Sequence, residues 1–234
     1  MGMNPNQRSL QDEWMDDPDL DPALHAAALR GLRRINRWTG SARPIAGEIT
    51  RLAKTCDAAS LSVLDVGCGG GDVVTGLGLR VYPVPVRFAG CDRSRFAVHT
   101  ANGHAASVGV PVRFFEHDVL AGPIPGTYDI VMCSLFLHHF ERPEAVCLVG
   151  HMRAAARHLV LIDDLCRTRR GYRLAWIGCR LLSRSPVVHV DGPRSVEAAW
   201  TPVEARAIGE EAGLESIRIR RHWPERFTLT ARCG

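Results

Sequence analysis

Residues 63–72 read Val-Leu-Asp-Val-Gly-Cys-Gly-Gly-Gly-Asp, and this stretch decides the fold. The apolar run 61–66 predicts a buried β-strand, because it is short, continuous and followed by turn residues. Gly67 and Gly69 allow the positive φ of a tight turn and let a ligand lie against bare backbone. A helix predicted from Asp72 begins with N–H groups that have no partner inside the helix. The stretch therefore predicts a strand, a turn and a helix around a ligand site.

Apolar runs and helix-like stretches alternate along the chain after this point. Strands are predicted at 61–66, 86–91, 111–115, 128–133, 158–163, 215–220 and 226–231, and helices at 72–80, 94–107 and 142–156. Thr201, Pro202 and Glu204 predict one more helix, which starts with a capping box. The alternation predicts an α/β fold with a Rossmann-like, mostly parallel sheet and helices on both faces.

Two segments lie outside the alternation, and we expect them to cap the sheet. Residues 1–20 are polar and predict a disordered or loosely packed segment, after which Asp21-Pro22 starts a helix and 44–54 form a second one. The insertion 165–200 predicts an apolar helix, followed by a loop that contains Pro186, Gly192 and Pro193. We expect residues 1–57 to form a helical extension and 58–234 the main domain.

Acidic residues follow the second and third predicted strands. Asp92 stands 25 residues after Gly67, where nucleotide-binding folds use an acid to accept hydrogen bonds from ribose hydroxyls. Asp92 could instead cap the next helix, but Ser94 is equally able to do so, and this would leave Asp92 free. Asp118 could bind the exocyclic amine of adenine, with the N–H of Val119 beside it, or belong to an ordinary polar loop.

The glycine-rich turn departs from the dinucleotide pattern G-x-G-x-x-G, because Asp72 stands where the third glycine would be. A carboxylate at this place would repel a pyrophosphate. S-adenosylmethionine (SAM) has no phosphate, and Asp65 could face its ammonium group. The turn therefore favours SAM over NAD.

With Asp92 and Asp118 at the following strand ends, residues 65–71 resemble the class I SAM-dependent methyltransferases. The resemblance covers residues 60–165 at motif level. It implies a seven-stranded sheet whose last strand runs antiparallel between strands five and six. The expected SAM-binding residues are Asp65, Gly67, Cys68, Gly69, Asp72, Asp92, Arg93, Asp118, Val119, Cys133 and Ser134.

Residues 133–140, Cys-Ser-Leu-Phe-Leu-His-His-Phe, follow the fourth strand, where the family places the transferred methyl group. They lack the Asn/Asp-Pro-Pro-Tyr-like motif of enzymes that methylate base amines, and they resemble the small-molecule branch. His138 and His139 are candidate general bases, since imidazole titrates near neutral pH. They could instead cap a helix or contact SAM, and positioning alone could suffice for transfer. We favour His139, because a helical turn would place it on the face of Leu135.

Aromatic residues in the capping segments predict an apolar acceptor pocket, with core packing as the alternative. They are Trp14, Trp38, Tyr172, Trp176 and Trp200, of which Tyr172 and Trp176 are the expected acceptor contacts. A basic cluster in the insertion is either a solvated face or a site for an anionic acceptor or a carrier-bound acyl group. The cluster consists of Arg167, Arg169, Arg170 and Arg173.

Composition argues against several classes of protein. A formal net charge of +4 over 234 residues is too weak to indicate a nucleic-acid partner. No apolar run is long enough to predict a transmembrane helix, and the polar N-terminus does not resemble a secretory signal, so we expect a cytoplasmic monomer or homodimer. The eight cysteines contain no C-x-x-C pair and are expected to be buried thiols, with no metal site.

The sequence thus predicts a SAM-dependent methyltransferase that acts on oxygen or carbon of a small hydrophobic phenol, quinol or polyketide-like acceptor. The stretches Arg-Ile-Asn-Arg at 34–37 and Val-Asp-Gly-Pro-Arg-Ser at 190–195 add a resemblance to bacterial methyltransferases of secondary metabolism. The alternatives are an NAD-dependent oxidoreductase, a SAM-binding protein or partner subunit without catalytic activity, and an RNA methyltransferase.

Overall fold

A seven-stranded sheet organises the computed structural model, which describes residues 3–17 and 19–233. Its strands are β1 (Leu61–Val66), β2 (Val86–Asp92), β3 (Val112–Glu116), β4 (Tyr128–Ser134), β5 (Ala156–Leu165), β6 (Glu215–His222) and β7 (Arg226–Arg232). The strand order is β3-β2-β1-β4-β5-β7-β6, and β7 runs antiparallel to both β5 and β6. The predicted Rossmann-like sheet, with its single antiparallel strand between strands five and six, is confirmed.

Helices cover both faces of the sheet. They are α1 (Pro22–Thr39), α2 (Ala42–Thr55), α3 (Asp72–Gly78), α4 (Arg95–Ser107), α5 (Arg142–Ala155), α6 (Arg169–Leu182), α7 (Pro186–Ala198) and α8 (Pro202–Glu211). Val63 of β1 is buried in a cluster with α2, α3 and α4, whereas Leu64 is buried in another cluster with α5 and α8. Neighbouring residues of a strand point to opposite faces, so burial on both sides explains the continuous apolar strands.

The predicted helix boundaries follow local hydrogen bonding. The carboxylate of Asp21 accepts hydrogen bonds from the backbone N–H groups of Ala23 and Leu24 and so starts α1. Gly40 ends α1 with a φ of 70°, which a glycine adopts without strain. The predicted capping box of Thr201 and Glu204 starts α8.

The insertion after β5 differs from its prediction in one respect. Residues 183–200 do not form a loop, because α7 spans most of them, with Pro186 in its first turn and Pro193 inside it. Gly192 is a packing residue, since a Cβ at this position would lie 2.2 Å from Sγ of Cys179 on α6. A glycine that permits close helix contact has the same sequence signature as one that breaks a helix, which explains the wrong prediction.

The N-terminal segment also differs from its prediction, because residues 3–17 pack against the rest of the molecule. The guanidinium of Arg8 donates hydrogen bonds to the carbonyl groups of Ala198, His138 and Phe140, and it stacks 3.8 Å from the ring centre of Trp200. Individual polar contacts of this kind leave no periodic pattern in a sequence. We call residues 3–17 the N-terminal strap.

The strap, α1, α6 and α7 together form one cap. Ala28, Cys179, Val187 and Val188 are buried in a shared apolar cluster against which Met15 packs. Helix α2 does not belong to this cap, because its buried residues join the cluster under the sheet. The division of the chain at residue 57 therefore stays a prediction.

All eight cysteines are free thiols, as predicted, and Cys68, Cys91, Cys133, Cys166 and Cys179 are buried. Cys56 and Cys233 are half-buried and Cys147 is exposed, so the expectation of buried thiols fails for these three. Within residues 3–17 and 19–233, no helix has the length and apolar character that crossing a bilayer would require.

A buried ion pair joins the carboxyl ends of the strands. Asp163 of β5 is fully buried and is paired with Arg226 of β7, which is 2% exposed. Asp163 also accepts hydrogen bonds at 2.8 Å from His222 and Thr228. The guanidinium of Arg226 reaches Ser134 at the end of β4 as well. Removing one partner would leave an uncompensated buried charge.

We predict that Asp163→Ala lowers the free energy of unfolding by about 3–5 kcal/mol, because Arg226 then stays buried without a counterion. Glu211→Ala, which breaks the exposed pair of Arg142 and Glu211, should cost about 1 kcal/mol or less and is the matched control. Urea denaturation measures both values. Equal losses for the two variants would contradict this assignment.

Candidate active site

The glycine-rich turn after β1 is fixed by its own backbone. The N–H groups of Gly67 and Cys68 both donate to the carbonyl oxygen of Cys91 on β2, at 2.9 and 3.0 Å. Gly67 has a φ of 69°, and a Cβ there would lie 2.4 Å from the ring of Phe136. Gly69 has a φ of 52°, but a Cβ there would meet nothing within 4 Å. Gly67 therefore permits close packing, whereas Gly69 faces open space beside the turn.

Asp92 is hydrogen-bonded to this turn. The argument that Ser94 caps the helix had implied that Asp92 would be free, and it is not. Its carboxylate accepts one hydrogen bond from the N–H of Gly69 and one from the N–H of Ser94, both at 2.9 Å. Ser94 does cap α4, through the N–H of Ala97. Each carboxylate oxygen can accept more than one hydrogen bond, so these contacts orient Asp92 and still leave acceptor capacity for ribose hydroxyls.

Asp65 carries a buried oxygen that no residue described by the structure satisfies. The residue is 2% exposed, and among the residues that the structure describes its Oδ1 has no hydrogen-bond partner. Burial, with Asp72 and Asp92 nearby, raises the pKa of this carboxyl well above its usual value. A buried polar atom without a partner is costly, so its presence beside the turn fits a ligand group that supplies the missing donor. The ammonium group of SAM has this chemistry.

Helix α1 lies over the turn and holds Asp72. Nδ2 of Asn36 donates to the carboxylate of Asp72 at 2.8 Å, and Oγ of Ser41 donates to Oδ1 of Asn36 at 3.0 Å. A Cβ at Gly70 would lie 3.5 Å from the side chain of Leu29, also on α1. The Arg-Ile-Asn-Arg stretch thus joins the cap to the first residue of α3, and a direct contact of Asp72 with SAM stays a prediction.

The residues expected at the adenine mostly stabilise their own loop. Oδ1 of Asp118 accepts a hydrogen bond at 2.9 Å from the N–H of Leu120. Val119 is 4% exposed, and its carbonyl oxygen lies 2.7 Å from Nδ1 of His151. Arg93, the other residue predicted in this region, is exposed. Their contacts with SAM stay predictions.

The last residues of β4 are built into the protein interior. The side chain of Cys133 is fully buried in the core, and burial raises the pKa of its thiol well above the usual value. Oγ of Ser134 accepts a hydrogen bond from Arg226 at 3.2 Å. The side chain of Cys133 is therefore not reactive, and the predicted SAM contacts of the two residues remain untested.

His138 lies between two carboxylates. Its Nδ1 is 2.7 Å from Oδ1 of Asp164, its backbone N–H donates to Oδ2 of the same residue, and its Nε2 is 3.7 Å from Glu13. Burial alone lowers the pKa of His138, but Asp164 and Glu13 outweigh it and raise the value to about 10. A protonated imidazole has no lone pair to accept a proton, so the geometry favours a positioning role for His138.

His139 is the more accessible of the two histidines. It is half-buried, and its ring stacks on that of His138 with the centres 4.4 Å apart. The helical face that it was expected to share with Leu135 does not exist, because the 3₁₀ helix covers only Leu137–His139. Leu135 has a φ of 55° and lies outside it. His139 therefore differs from His138 in its greater exposure to solvent, and not in sharing a helical face with Leu135.

Glu13 is a site residue that sequence reasoning missed. It accepts a hydrogen bond at 2.5 Å from Oγ of Ser195. Beside it, the backbone N–H groups of Trp14 and Met15 donate to the carboxylate of Asp191. The Val-Asp-Gly-Pro-Arg-Ser stretch therefore holds the strap against the histidines. The three polar residues of this stretch, Asp191, Arg194 and Ser195, lie on a predicted loop and were the available signal.

Glu13, His138 and His139 could also ligate a divalent cation, since their donor atoms lie within 4.8 Å of one another. Asp164 bonded to Nδ1 of His138 resembles the outer ligand sphere of many metal-bound histidines. However, the proton on Nε2 of His138 would have to leave first. Without an ion, this proton already compensates the two carboxylates, and the expectation of no metal stays a prediction.

The aromatic and basic residues of the insertion have different environments. Tyr172 is half-buried, whereas Trp176 is 47% exposed, and its ring stacks 4.1 Å from the guanidinium of Arg180. Arg167 is 5% exposed and bonds the carbonyl groups of Pro5 and Ala199 and the carboxylate of Glu204, so it is a structural residue. The other three arginines of the cluster are exposed. Acceptor binding by Tyr172 and Trp176 remains a prediction.

The raised pKa of His138 predicts an alkaline loss of stability. Its folded-state pKa of about 10 exceeds the ordinary value of 6.5, so its contribution is complete below pH 6.5 and is lost as the pH rises towards 10. The loss should be on the order of a few kcal/mol. Melting temperatures between these pH values should fall more steeply for the wild type than for His138→Gln. Parallel curves would contradict a protonated His138.

Comparison with known proteins identifies the family. Residues 63–159 match the model of a methyltransferase domain. A protein named ubiquinone biosynthesis O-methyltransferase, from Azotobacter vinelandii, is 30% identical over 70% of this chain and 72% of its own length. The fold also resembles that of the plantazolicin methyltransferase BpumL solved with S-adenosylhomocysteine, with a TM-score of 0.68, 16% identity and coverage of 94% of this chain and 93% of that one.

A second solved structure is the magnesium protoporphyrin IX methyltransferase from Synechocystis PCC 6803 with bound SAM. It has a TM-score of 0.59 and 17% identity, and the match covers 93% of this chain and all of that one. At these identities the solved structures support the fold, while the family rests on the closer sequence relative. The chain belongs to the class I SAM-dependent methyltransferases, and SAM is its cofactor.

Proposed function

We propose that this enzyme methylates a hydroxyl oxygen of a small hydrophobic phenol or quinol. The observation that carries the proposal is the position of half-buried His139 in the 3₁₀ helix that follows β4, stacked on a protonated His138. The name of the relatives, ubiquinone biosynthesis O-methyltransferase, supports oxygen as the methylated atom and a quinol as the acceptor class. It favours quinone chemistry over the secondary metabolism that the sequence suggests.

The residues around the glycine-rich turn fit SAM, whose sulfonium supplies an electrophilic methyl group when it is bound. The unsatisfied Oδ1 of Asp65 would accept hydrogen bonds from the ammonium of the cofactor. Asp92, oriented by the N–H groups of Gly69 and Ser94, would accept from the ribose hydroxyls. The open side of Gly69 leaves room for the ligand against the backbone.

His139 would act as the general base that removes the hydroxyl proton of the acceptor. A phenolate is a far better nucleophile than a phenol, and a positioned base typically contributes 10²–10⁴-fold to the rate. The adjacent His138 holds the 3₁₀ helix through its two bonds to Asp164, so the main chain that carries His139 is fixed. His138 would therefore position the base without exchanging a proton itself.

The strap, α6 and α7 would enclose the acceptor. Glu13 contacts the histidines from the strap, while Tyr172 and Trp176 belong to α6 and would contact the acceptor ring. The cytoplasmic location, the state as a monomer or homodimer, and the absence of a nucleic-acid partner all belong to this proposal.

We predict that Gly69→Val weakens SAM binding at least tenfold, because its side chain would occupy the open space beside the turn. Gly109→Val is the matched control: Gly109 has a φ of 69° and also meets nothing within 4 Å, so the variant suffers the same backbone strain far from the turn. Calorimetric titration with SAM measures the affinity. Unchanged binding by Gly69→Val would show that the cofactor lies elsewhere.

For the base, His139→Ala should lower kcat by about two orders of magnitude with a soluble catechol as the acceptor. The remaining activity should rise with pH, because the acceptor then ionises without help. SAM affinity should stay unchanged, and His99→Ala, at an exposed position on α4, is the control. Full activity of His139→Ala at neutral pH would contradict its role as the general base. Catalysis would then depend on positioning of the acceptor and SAM alone.

A further inference from the structure

Helix α6 has an exposed face that, apart from Trp176, the proposed reaction does not use. Trp176, Ile177 and Leu181 are 47%, 48% and 78% exposed. Arg169, Arg173 and Arg180 are exposed on the same side as Trp176, because positions 169, 173, 176 and 180 recur at helical spacing. The opposite side packs inward through Gly171 and Cys179.

The face is basic as well as apolar. Helix α6 contains no acidic residue. Arg170 is 3.5 Å from Glu225, whereas within residues 3–17 and 19–233 Arg169 and Arg173 have no ion-pair partner. Arg180 stacks on the ring of Trp176 and so covers part of it while its charge stays in water.

The turn between β6 and β7 lies beside the first turn of α6. Glu225 of the turn lies against the first turn of α6, since a Cβ at Gly171 would be 3.3 Å from the Cβ of Glu225. In the same turn, Trp223 is 61% exposed, and Arg221 before it is exposed as well. A second tryptophan and a further cation therefore lie beside α6.

We propose that this face docks on an anionic phospholipid membrane. We call it the docking face, and it comprises Arg169, Arg173, Trp176, Ile177, Arg180 and Leu181. Amphipathic helices that lie on membranes insert tryptophan and aliphatic side chains among the headgroups, and their arginines bind anionic lipid. Each arginine near such a surface strengthens binding about fivefold, from about 1 kcal/mol per residue.

An acidic protein partner, such as an acyl carrier protein, would satisfy the arginines alone. It would leave the apolar residues between them without a role, and Leu181 is mostly exposed. In contrast, a lipid surface matches the interleaved pattern, because aliphatic stems and rings enter the interface while guanidinium groups remain with the phosphates. The mixture of side chains therefore favours lipid over protein.

The position of α6 relates docking to the reaction. Helix α6 follows the carboxyl end of β5, the same edge of the sheet at which His138 and His139 follow β4. Docking would thus bring the cap to the layer in which a hydrophobic acceptor dissolves. This connection rests on the proposed function, whereas binding to lipid does not.

The test is co-sedimentation of the full chain with vesicles of phosphatidylcholine, alone or mixed with phosphatidylglycerol. We expect binding to the mixed vesicles only, weaker at high salt and accompanied by a blue shift of tryptophan emission. The double variant Ile177→Ser/Leu181→Ser should lose most of the binding. The variant Arg169→Gln/Arg173→Gln should weaken it about 25-fold, the product of two fivefold effects.

Matched controls lie at the opposite edge of the sheet, just before β2 and at its start. Leu79→Ser/Val81→Ser replaces residues that are 63% and 97% exposed, and Arg80→Gln/Arg87→Gln replaces two exposed arginines. Both should bind vesicles like the wild type, and all variants should keep their SAM affinity and their melting temperature.

Four results would overturn the proposal. They are no binding to either vesicle, an equal loss in the control variants, binding of an acidic carrier protein without binding of vesicles, and a dimer that dissociates only in the α6 variants. A failure of methyl transfer with intact vesicle binding would instead refute the proposed function and leave the docking face in place.

Discussion

Two adjacent buried carboxylates at the end of β5 are the constraint on which the site depends. Asp163 and Asp164 are 0% and 1% exposed, and successive residues of a strand point to opposite faces. Each therefore needs its own buried cation. Arg226 of β7 is paired with Asp163, whereas His138 after β4 is paired with Asp164. The carboxyl edge of the sheet is thus held by charge on both faces.

This arrangement explains which parts of the site the sequence could predict. The glycine-rich turn is local: strand, turn and helix adjoin in the chain, so residues 61–72 carry the whole pattern. The unpaired oxygen of Asp65 agrees with a predicted ligand at the turn. By contrast, the pairing of His138 with Asp164 joins residues 26 apart, and the contact of His138 with Glu13 joins residues that are even farther apart in the chain. Neither pairing leaves a periodic or spaced pattern.

The wrong predictions share a physical cause. Gly192 and Pro193 indicated a loop, yet α7 accommodates both, since Gly192 is required by the approach of Cys179. The strap was expected to be loose because its sequence is polar, yet polar side chains such as Glu13 satisfy donors and acceptors on elements distant in the chain. Composition reports the tendency of a segment to bury apolar surface, and it carries no information about such specific partners.

The packing of the strap against the histidines and the positive charge of His138 depend on each other. Burying the carboxylate of Glu13 is costly unless a positive charge lies beside it, and protonated His138 supplies that charge at 3.7 Å. Conversely, Glu13 adds to Asp164 in raising the pKa of His138. The packed strap thus stabilises the proton on His138, and this proton stabilises the packed position of the strap. A histidine committed to this role cannot also take a proton from the acceptor, and for this reason we propose its neighbour, His139, as the base.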